Sequence, residues 1–388
     1  MKTPTQILKI AAASVLLLLT TVAATAQSET TTTEQIEALM SRLEAIEKER
    51  ATEAEAAKTK SFYAPQLNGA ILAYFNVNTY DGDQRFAVRS AHLSVRGNAS
   101  TNMSYYIHWD CNNLTSFKML DTYIRYVSER KNFNLTLGQQ WIYITSDYTR
   151  NGPKSSIFTS RSLGVVYLAN YTNGSAIKSF GIRDIGLYAN YTFDTATPVT
   201  LSLGAFNGAG SNSLEWDNDI NLTGRIQVGD TKGLSGGASI YGGTTMYEQK
   251  VIIASAEVRY ITENLFVEGN YQYKRVGGEP TIGKVAQSGL IQGYYTIKTP
   301  NNRLFASFAP TARYDFGRGM LYTNPDSGVA EQNASRLTTQ ISFMMNGAKI
   351  RSRLSIGFEK IFMSDKPSDY AENTLFQDRF TVGMTVAF

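Results

Sequence analysis

The final nine residues, Phe380-Thr381-Val382-Gly383-Met384-Thr385-Val386-Ala387-Phe388, put a large apolar side chain at every even position and a small or polar one at every odd position. Alternation with period 2 gives an extended strand two faces of opposite chemistry. About nine to eleven such residues, tilted, are enough to cross a bilayer. A soluble sheet also alternates, so the fold class turns on whether the rest of the chain repeats the pattern.

It does. From Gln66 onward sixteen alternating segments can be marked, among them Ile71-Ala73-Phe75-Val77, Ala91-Leu93-Val95 and Ile185-Leu187-Ala189-Tyr191-Phe193. Others are Val199-Leu201-Leu203, Leu222 to Val228, Leu265 to Tyr273 and Ile350 to Phe358. The connections alternate in length. The long set is read at 78–85, 111–117, 141–180, 207–219, 242–250, 275–287, 316–335 and 360–377. The short set is read at 97–102, 128–132, 194–198, 229–233, 262–264, 298–303 and 347–349. Short turns use Gly97-Asn98, Pro198, Gly229-Asp230 and Asn346-Gly347, residues suited to tight reversals. Tight periplasmic turns and longer outer loops are the asymmetry of outer-membrane barrels, and an even strand count places both ends in the periplasm. Residues 61–388 are therefore expected to form a 16-stranded antiparallel transmembrane β-barrel. A polar-lined barrel of that size encloses an aqueous channel, whereas eight strands would fill their own interior. The 23 Tyr and 19 Phe suffice for two aromatic girdles.

The first residues carry Lys2 and Lys9, the apolar run Ile10 to Leu19, and Ala24-Thr25-Ala26. That order predicts a secretory signal over 1–26, too short in its apolar part to span a bilayer. Residues 27–60 are read as a short periplasmic helix and linker. Ile36, Leu39, Leu43 and Ile46 form an a/d seam that stops when Arg50 and Glu53 reach the next seam positions. A brief oligomeric coiled coil and a solvated charged linker are both open readings. Cys111 is the only cysteine, which excludes an internal disulfide and a thiolate metal site. Losing Lys2 and Lys9 takes the formal charge from +4 to +2, too slight and scattered for a nucleic-acid partner.

Several segments, taken in order, resemble the phosphate-selective porin O and P family over residues 61–388. Phe86-Ala87-Val88-Arg89-Ser90-Ala91-His92-Leu93 is similar to its Arg-rich second strand, and Met119-Leu120-Asp121-Thr122-Tyr123-Ile124 to its Leu-Asp-Ala-Tyr strand. Gly138-Gln139 stands before the long third loop, and Arg183-Asp184-Ile185-Gly186-Leu187 resembles the return strand. Phe206-Asn207-Gly208-Ala209-Gly210-Ser211-Asn212 with Asp217-Asn218-Asp219-Ile220-Asn221 is the most specific match, joined by Pro310-Thr311-Ala312-Arg313-Tyr314. The resemblance implies a homotrimer with inward-folding loops and a phosphate-preferring pore. Ser90 and His92 stand where the family usually has Arg, Gln140-Trp141-Ile142 replaces its usual motif, and Ser160-Arg161-Ser162 keeps only the Arg of Glu-Arg-Ser. These departures weaken the case for phosphate and leave that for a porin.

An anion pore needs cations facing water at a narrow place. On the water-facing parity stand Arg96, Arg125, Arg225, Arg259, Lys274, Arg313, Arg351 and Arg353, against Asp110, Asp121, Asp184, Glu257, Glu268, Asp315 and Glu359. Near-equal numbers favour pairing across neighbouring strands. Segment 141–180 is richer in cations, with Arg150, Lys154, Arg161 and Lys178 against Asp147, and Arg183 follows it. A connection of that length is usually functional. It is expected to fold into the lumen and form a mildly anion-preferring eyelet; a mobile outer lid is the alternative. His92, His108 and Asp110 could hold a metal or merely hydrogen-bond, and Asp217, Asn218 and Asp219 could hold Ca²⁺ or shape a turn.

The leading expectation is thus a porin of the Gram-negative outer membrane, passing small hydrophilic or anionic solutes without a cofactor. An enzyme would need a nucleophile–His–acid set, and neither histidine sits in such a motif. The alternative is a structural envelope protein with a trimeric stalk.

Overall fold

The computed structural model describes residues 37, 40–49, 62–112, 117–150, 152–169, 183–213, 220–244, 250–277, 284–324, 328–345, 352–363 and 377–388. The chain falls into two units, Met1–Ala64 and Pro65–Phe388. In the first, residues 40–49 are helical, and Met40, Leu43 and Ile46 are exposed. The segment 1–26 expected to be a signal, Ile36, Leu39 and the 217–219 cluster lie outside the described residues.

The second unit is a sheet closed on itself. Its strands are β1 (Gln66–Asn78), β2 (Gln84–Asn98), β3 (Met103–Asp110), β4 (Lys118–Val127), β5 (Phe133–Trp141), β6 (Arg183–Phe193), β7 (Val199–Phe206) and β8 (Asn221–Val228). There follow β9 (Gly233–Thr244), β10 (Lys250–Ile261), β11 (Leu265–Val276) and β12, which runs Val285–Tyr295 and resumes as Ile297–Lys298. The last four are β13 (Phe305–Asn324), β14 (Gly328–Met345), β15 (Arg353–Phe362) and β16 (Arg379–Ala387). Each strand pairs antiparallel with its neighbours in sequence, and β16 closes on β1 in the register Ala70↔Ala387 to Asn78↔Arg379. Closure pairs every edge, the condition for a sheet to cross lipid.

Side-chain parity follows the solvent on each face. Ile124, Leu137, Leu187, Leu203, Leu222, Ile226, Ile240, Ile291 and Met384 are exposed on the outside. Their neighbours in sequence, such as Asp121, Thr136, Ser202, Arg225, Ser239 and Thr385, are buried inside. An apolar band outside and polar groups inside invert a soluble protein, as lipid requires. At the seam, Phe388 N–H donates to the Gly69 carbonyl at 3.0 Å and Gly69 N–H to the Phe388 carbonyl at 2.9 Å. Gly69 permits this closure: a Cβ there would lie 2.2 Å from the Phe388 ring.

Three features differ from the sequence reading. The long loop expected at 316–335 is instead a hairpin: β13 and β14 continue in register from Met320↔Gln332 to Asn324↔Gly328, and only 325–327 connects them. Its pairing with β12 ends at Gln287↔Arg318. Beyond that point the hairpin pairs only with itself and need not alternate, which hid it. The second difference is a bulge in β2: Ser90 pairs with Leu72 and Val88 with Ala73, leaving Arg89 over. A bulge reverses parity, so exposed Phe86 and Val88 give way to outward Ala91 and Leu93, and Arg89 turns inward. Third, the lumen is not uniformly polar. Val251 and Ile253 face inward and are buried.

Candidate functional site

The described part of the connection between β5 and β6, residues 142–150 and 152–169, lies inside the barrel and folds against the inner wall. A turn of helix, α1 (Ser146–Thr149), and a π-helical turn (Gly164–Ala169) shape it. Ile142, Ile144, Tyr148 and Val165 pack with Tyr188, Phe206, Tyr241, Val251, Ile253, Val276 and Ala286 into one apolar cluster. Burying each large member contributes about 1.5–3 kcal/mol. This cluster explains the inward Val251 and Ile253, and it is a core built within a lumen. Leu163 joins a second cluster with Met320, Ala334 and Ile361.

Polar anchors complete the attachment. The Ile144 carbonyl accepts from Ser255 Oγ at 2.7 Å and also from Ser239 Oγ. Ser146 donates its N–H and hydroxyl to Glu257, which also pairs with Arg225. Arg225 and Glu257 lie on β8 and β10, two strands apart, so Arg225 must cross β9. Gly237 leaves the path open, since a Cβ there would stand 2.7 Å from Arg225 Nη2. Tyr148 donates to Gln272. Leu163 N–H donates to Asp315 Oδ2 at 2.6 Å, and Thr159 N–H to Gln340 Oε1 at 3.0 Å. Arg353 donates to the Pro153 carbonyl at 3.2 Å and to that of Ser156.

Beneath residues 160–161, charges from β13 to β16 form a network. Asp315 binds Arg336 at 2.8 Å, Glu359 lies 3.4 Å from Arg336 and 3.9 Å from Arg313, and Arg379 pairs with Glu359. Arg313 donates to Ser160 Oγ at 2.8 Å, and Arg336 to the Arg161 carbonyl. These groups are nearly dry, so removing one partner would strand a buried charge. Within the loop, burial raises the Asp147 carboxyl above its usual range; Ser162, which donates to it, and Arg313 oppose this.

The anticipated cations therefore divide. Arg150 pairs with Glu268, Arg225 with Glu257, and Arg183 binds Asp121 at 2.9 and 3.1 Å while stacking 3.5 Å over Trp141. Arg313 and Arg353 hold the loop. Arg259 donates to Ser146 Oγ at 3.1 Å and to Ser235 Oγ at 3.2 Å. Lys274 is buried, and Arg351 lies outside the described residues. The remaining four, Arg96, Arg125, Lys154 and Arg161, have no carboxylate in ion-pair contact among the described residues. Arg96 donates to Gln66 Oε1 at 2.9 Å and Arg125 to Thr136 Oγ1 at 3.1 Å. The Lys154 ammonium is held below the usual lysine range by burial and then by Arg96. Arg161 is lowered likewise, by burial and then by Arg183, and its Nε is buried without a hydrogen-bond partner among the described residues.

These four stand toward the wall from β2 to β5, which the loop's hydrogen bonds touch, among the described residues, at Arg89 through the Thr159 carbonyl. His92 and His108 lie on that wall with ring centroids 4.9 Å apart; His108 Nδ1 is 3.0 Å from Asp121 and His92 Nε2 4.0 Å from Asp110. No group of three or more metal-ligating side chains occurs among the described residues. Arg89, Arg336 and Arg379 were missed among the candidates. For Arg89 the signal was present: the apolar positions switch from even to odd between Val88 and Ala91. For the dry patch it was three consecutive apolar residues, Val251-Ile252-Ile253, which leave no water-facing side.

A closed antiparallel barrel with an apolar exterior and a polar interior is an integral outer-membrane protein of the Gram-negative type, and its fold is that of outer-membrane porins. Solved structures agree on that fold. Salmonella typhi OmpF in complex with daunomycin aligns with TM-score 0.56 at 13% identity, covering 84% of this chain and 98% of that one. An anion-selective porin from Comamonas acidovorans gives 0.55 at 12% identity over 84% and 99% of the two chains. A loop L8 deletion mutant of OmpT, an outer membrane protein of Vibrio cholerae, gives 0.51 at 12% over 84% and 100%. The sequence matches no family model and no curated protein.

Proposed function

We propose that this chain is a general porin that passes small hydrophilic solutes passively, with a preference for anions. The observation that supports the preference is the set Arg96, Arg125, Lys154 and Arg161, cations without an acid partner among the described residues, beside the wall that the described part of the loop leaves open. Cations at a narrowing exchange an anion's hydration shell for their own donors. Their number is small because most lumen arginines are committed to fastening the loop. Phosphate is one candidate among such anions. In this reading residues 1–26 are a signal, 27–60 a periplasmic helix and linker, and the barrel assembles as a homotrimer. Transport needs neither cofactor nor catalysis.

Planar-bilayer recording of the refolded protein across a KCl gradient tests this. Stepwise conductance with an anion-signed reversal potential is expected, and exchanging both Arg96 and Arg161 for Gln should move that potential toward zero while conductance persists. A cation-signed potential would overturn the preference. Absence of conductance from a folded barrel would overturn the porin reading in favour of a structural role.

A further inference from the structure

Three adjacent strands carry Arg96, Tyr106 and Tyr123 directly opposite one another, Arg96↔Tyr106 across β2 and β3 and Tyr106↔Tyr123 across β3 and β4. All three share the inner face. Tyr106 stands two residues before His108, whose ring meets buried Asp121, and Tyr123 two residues after Asp121 with no bulge between. The two tyrosine rings lie 5.4 Å apart at 41°, and Arg125 Cζ is 4.9 Å over the Tyr123 ring. Beyond Tyr123 the register partner is Gly138, which puts no side chain directly opposite it on β5. Both tyrosines are half-buried, and among the described residues no hydrogen bond joins them to the long loop.

The two rings stand on the inner face, away from lipid and only partly covered, and present the rest of their surface to a passing solute. The electron-rich face of an aromatic ring attracts polarised C–H groups, which a pyranose presents on its flat side. The strip carries Arg96 on one side and Arg125 on the other, and Lys154 approaches Arg96 from the loop. Guanidinium groups bind carboxylates in a planar, two-pronged manner. The geometry points to an acidic-saccharide subsite on this wall: Tyr106 and Tyr123 stack the sugar rings of a short uronate oligomer, and Arg96 and Arg125 take its carboxylates. This deepens the porin reading by assigning a solute class, and the transport part rests on it.

The test records single channels with trigalacturonate added on one side, with maltotriose and inorganic phosphate as controls. Trigalacturonate should produce discrete, concentration-dependent closures that maltotriose does not. The Tyr106→Ala/Tyr123→Ala variant should shorten them about tenfold with anion selectivity retained. The Tyr106→Phe/Tyr123→Phe variant keeps the ring faces and should keep the closures. Equal block by maltotriose, or equal block of the double-alanine variant, overturns the subsite. Block by phosphate as long-lived as that by trigalacturonate overturns it too, leaving a simple anion site. Titration calorimetry of trigalacturonate into the detergent-folded protein reads binding without conduction. Binding that the alanines abolish, from a barrel that does not conduct, would sink the porin reading and uphold the subsite; absence of binding sinks the subsite alone.

Discussion

Arginine serves two purposes in this lumen, and the difference lies in what stands within reach. Arg313, Arg336 and Arg379 surround Asp315 and Glu359 in a dry network, and their charges are spent on holding residues 160–161. Among the described residues Arg96, Arg125, Lys154 and Arg161 have no acid within ion-pair distance, and in the proposed reading their charge is left for solutes. Lys154 gives this a pH signature. Its folded-state pKa lies below the ordinary value, through burial and Arg96, so carrying the charge destabilises the folded loop. Stability should therefore rise as pH rises through the folded-state pKa, while anion preference falls. The loss of preference should begin below the ordinary lysine value of about 10.4, and the Lys154→Arg variant, which stays charged, should hold its preference through that range. Reversal potentials from pH 7 to 10 measure both, and identical profiles for the two proteins would refute the assignment.

At the scale of the element, the long loop behaves as a small domain lodged in a barrel. It has its own apolar cluster, built around Ile142, Ile144 and Tyr148, and polar anchors spread from β2 to β15. Such a loop should resist thermal motion. Truncating Ile144 to Ala should remove about 2–5 kcal/mol of that anchorage through transfer and cavity terms, leaving the strand ladder intact. The expected result is faster tryptic cutting at Arg150 or Lys154 and noisier, larger single-channel steps, with barrel melting little changed. Unchanged cutting would mean that the polar anchors suffice alone. The length of segment 141–180 already marked it as functional. Its seat was not legible, because Ser146 meets Glu257 and Leu163 meets Asp315 across sequence separations that no local pattern encodes.

For the whole molecule, closure is the decisive event. Antiparallel strands joined by short connections form early from local contacts, but the β1–β16 seam joins the two ends of a long chain and carries the largest loop-closure entropy. Phe388 contributes two backbone hydrogen bonds and a ring seated over Gly69. Deleting it should remove about 1 kcal/mol per hydrogen bond together with the ring's packing. The folded barrel, read by its gel mobility before and after heating, should then unfold at a lower temperature and refold more slowly. Equal transition temperatures for the two chains would show that the register Ala70↔Ala387 holds the seam without its last residue.

What the amino-acid sequence determined alone is the barrel, its membrane-facing side and the position of its long loop. Lipid imposes a strict period of 2 on every crossing strand, and a chain that must meet lipid and water alternately records that in its residues. Where a strand escapes that pressure the record fades. For this reason the residues of the hairpin at 319–333 carry the pattern of a loop, and the bulge at Arg89 leaves only a switch of parity. The tertiary structure alone decided which charges are free. Arg150 and Lys154 sit four residues apart in one loop, yet one is paired with Glu268 and the other has no acid partner among the described residues. That choice depends on which wall residue stands opposite once the loop is packed, and packing brings together residues that the linear chain keeps far apart.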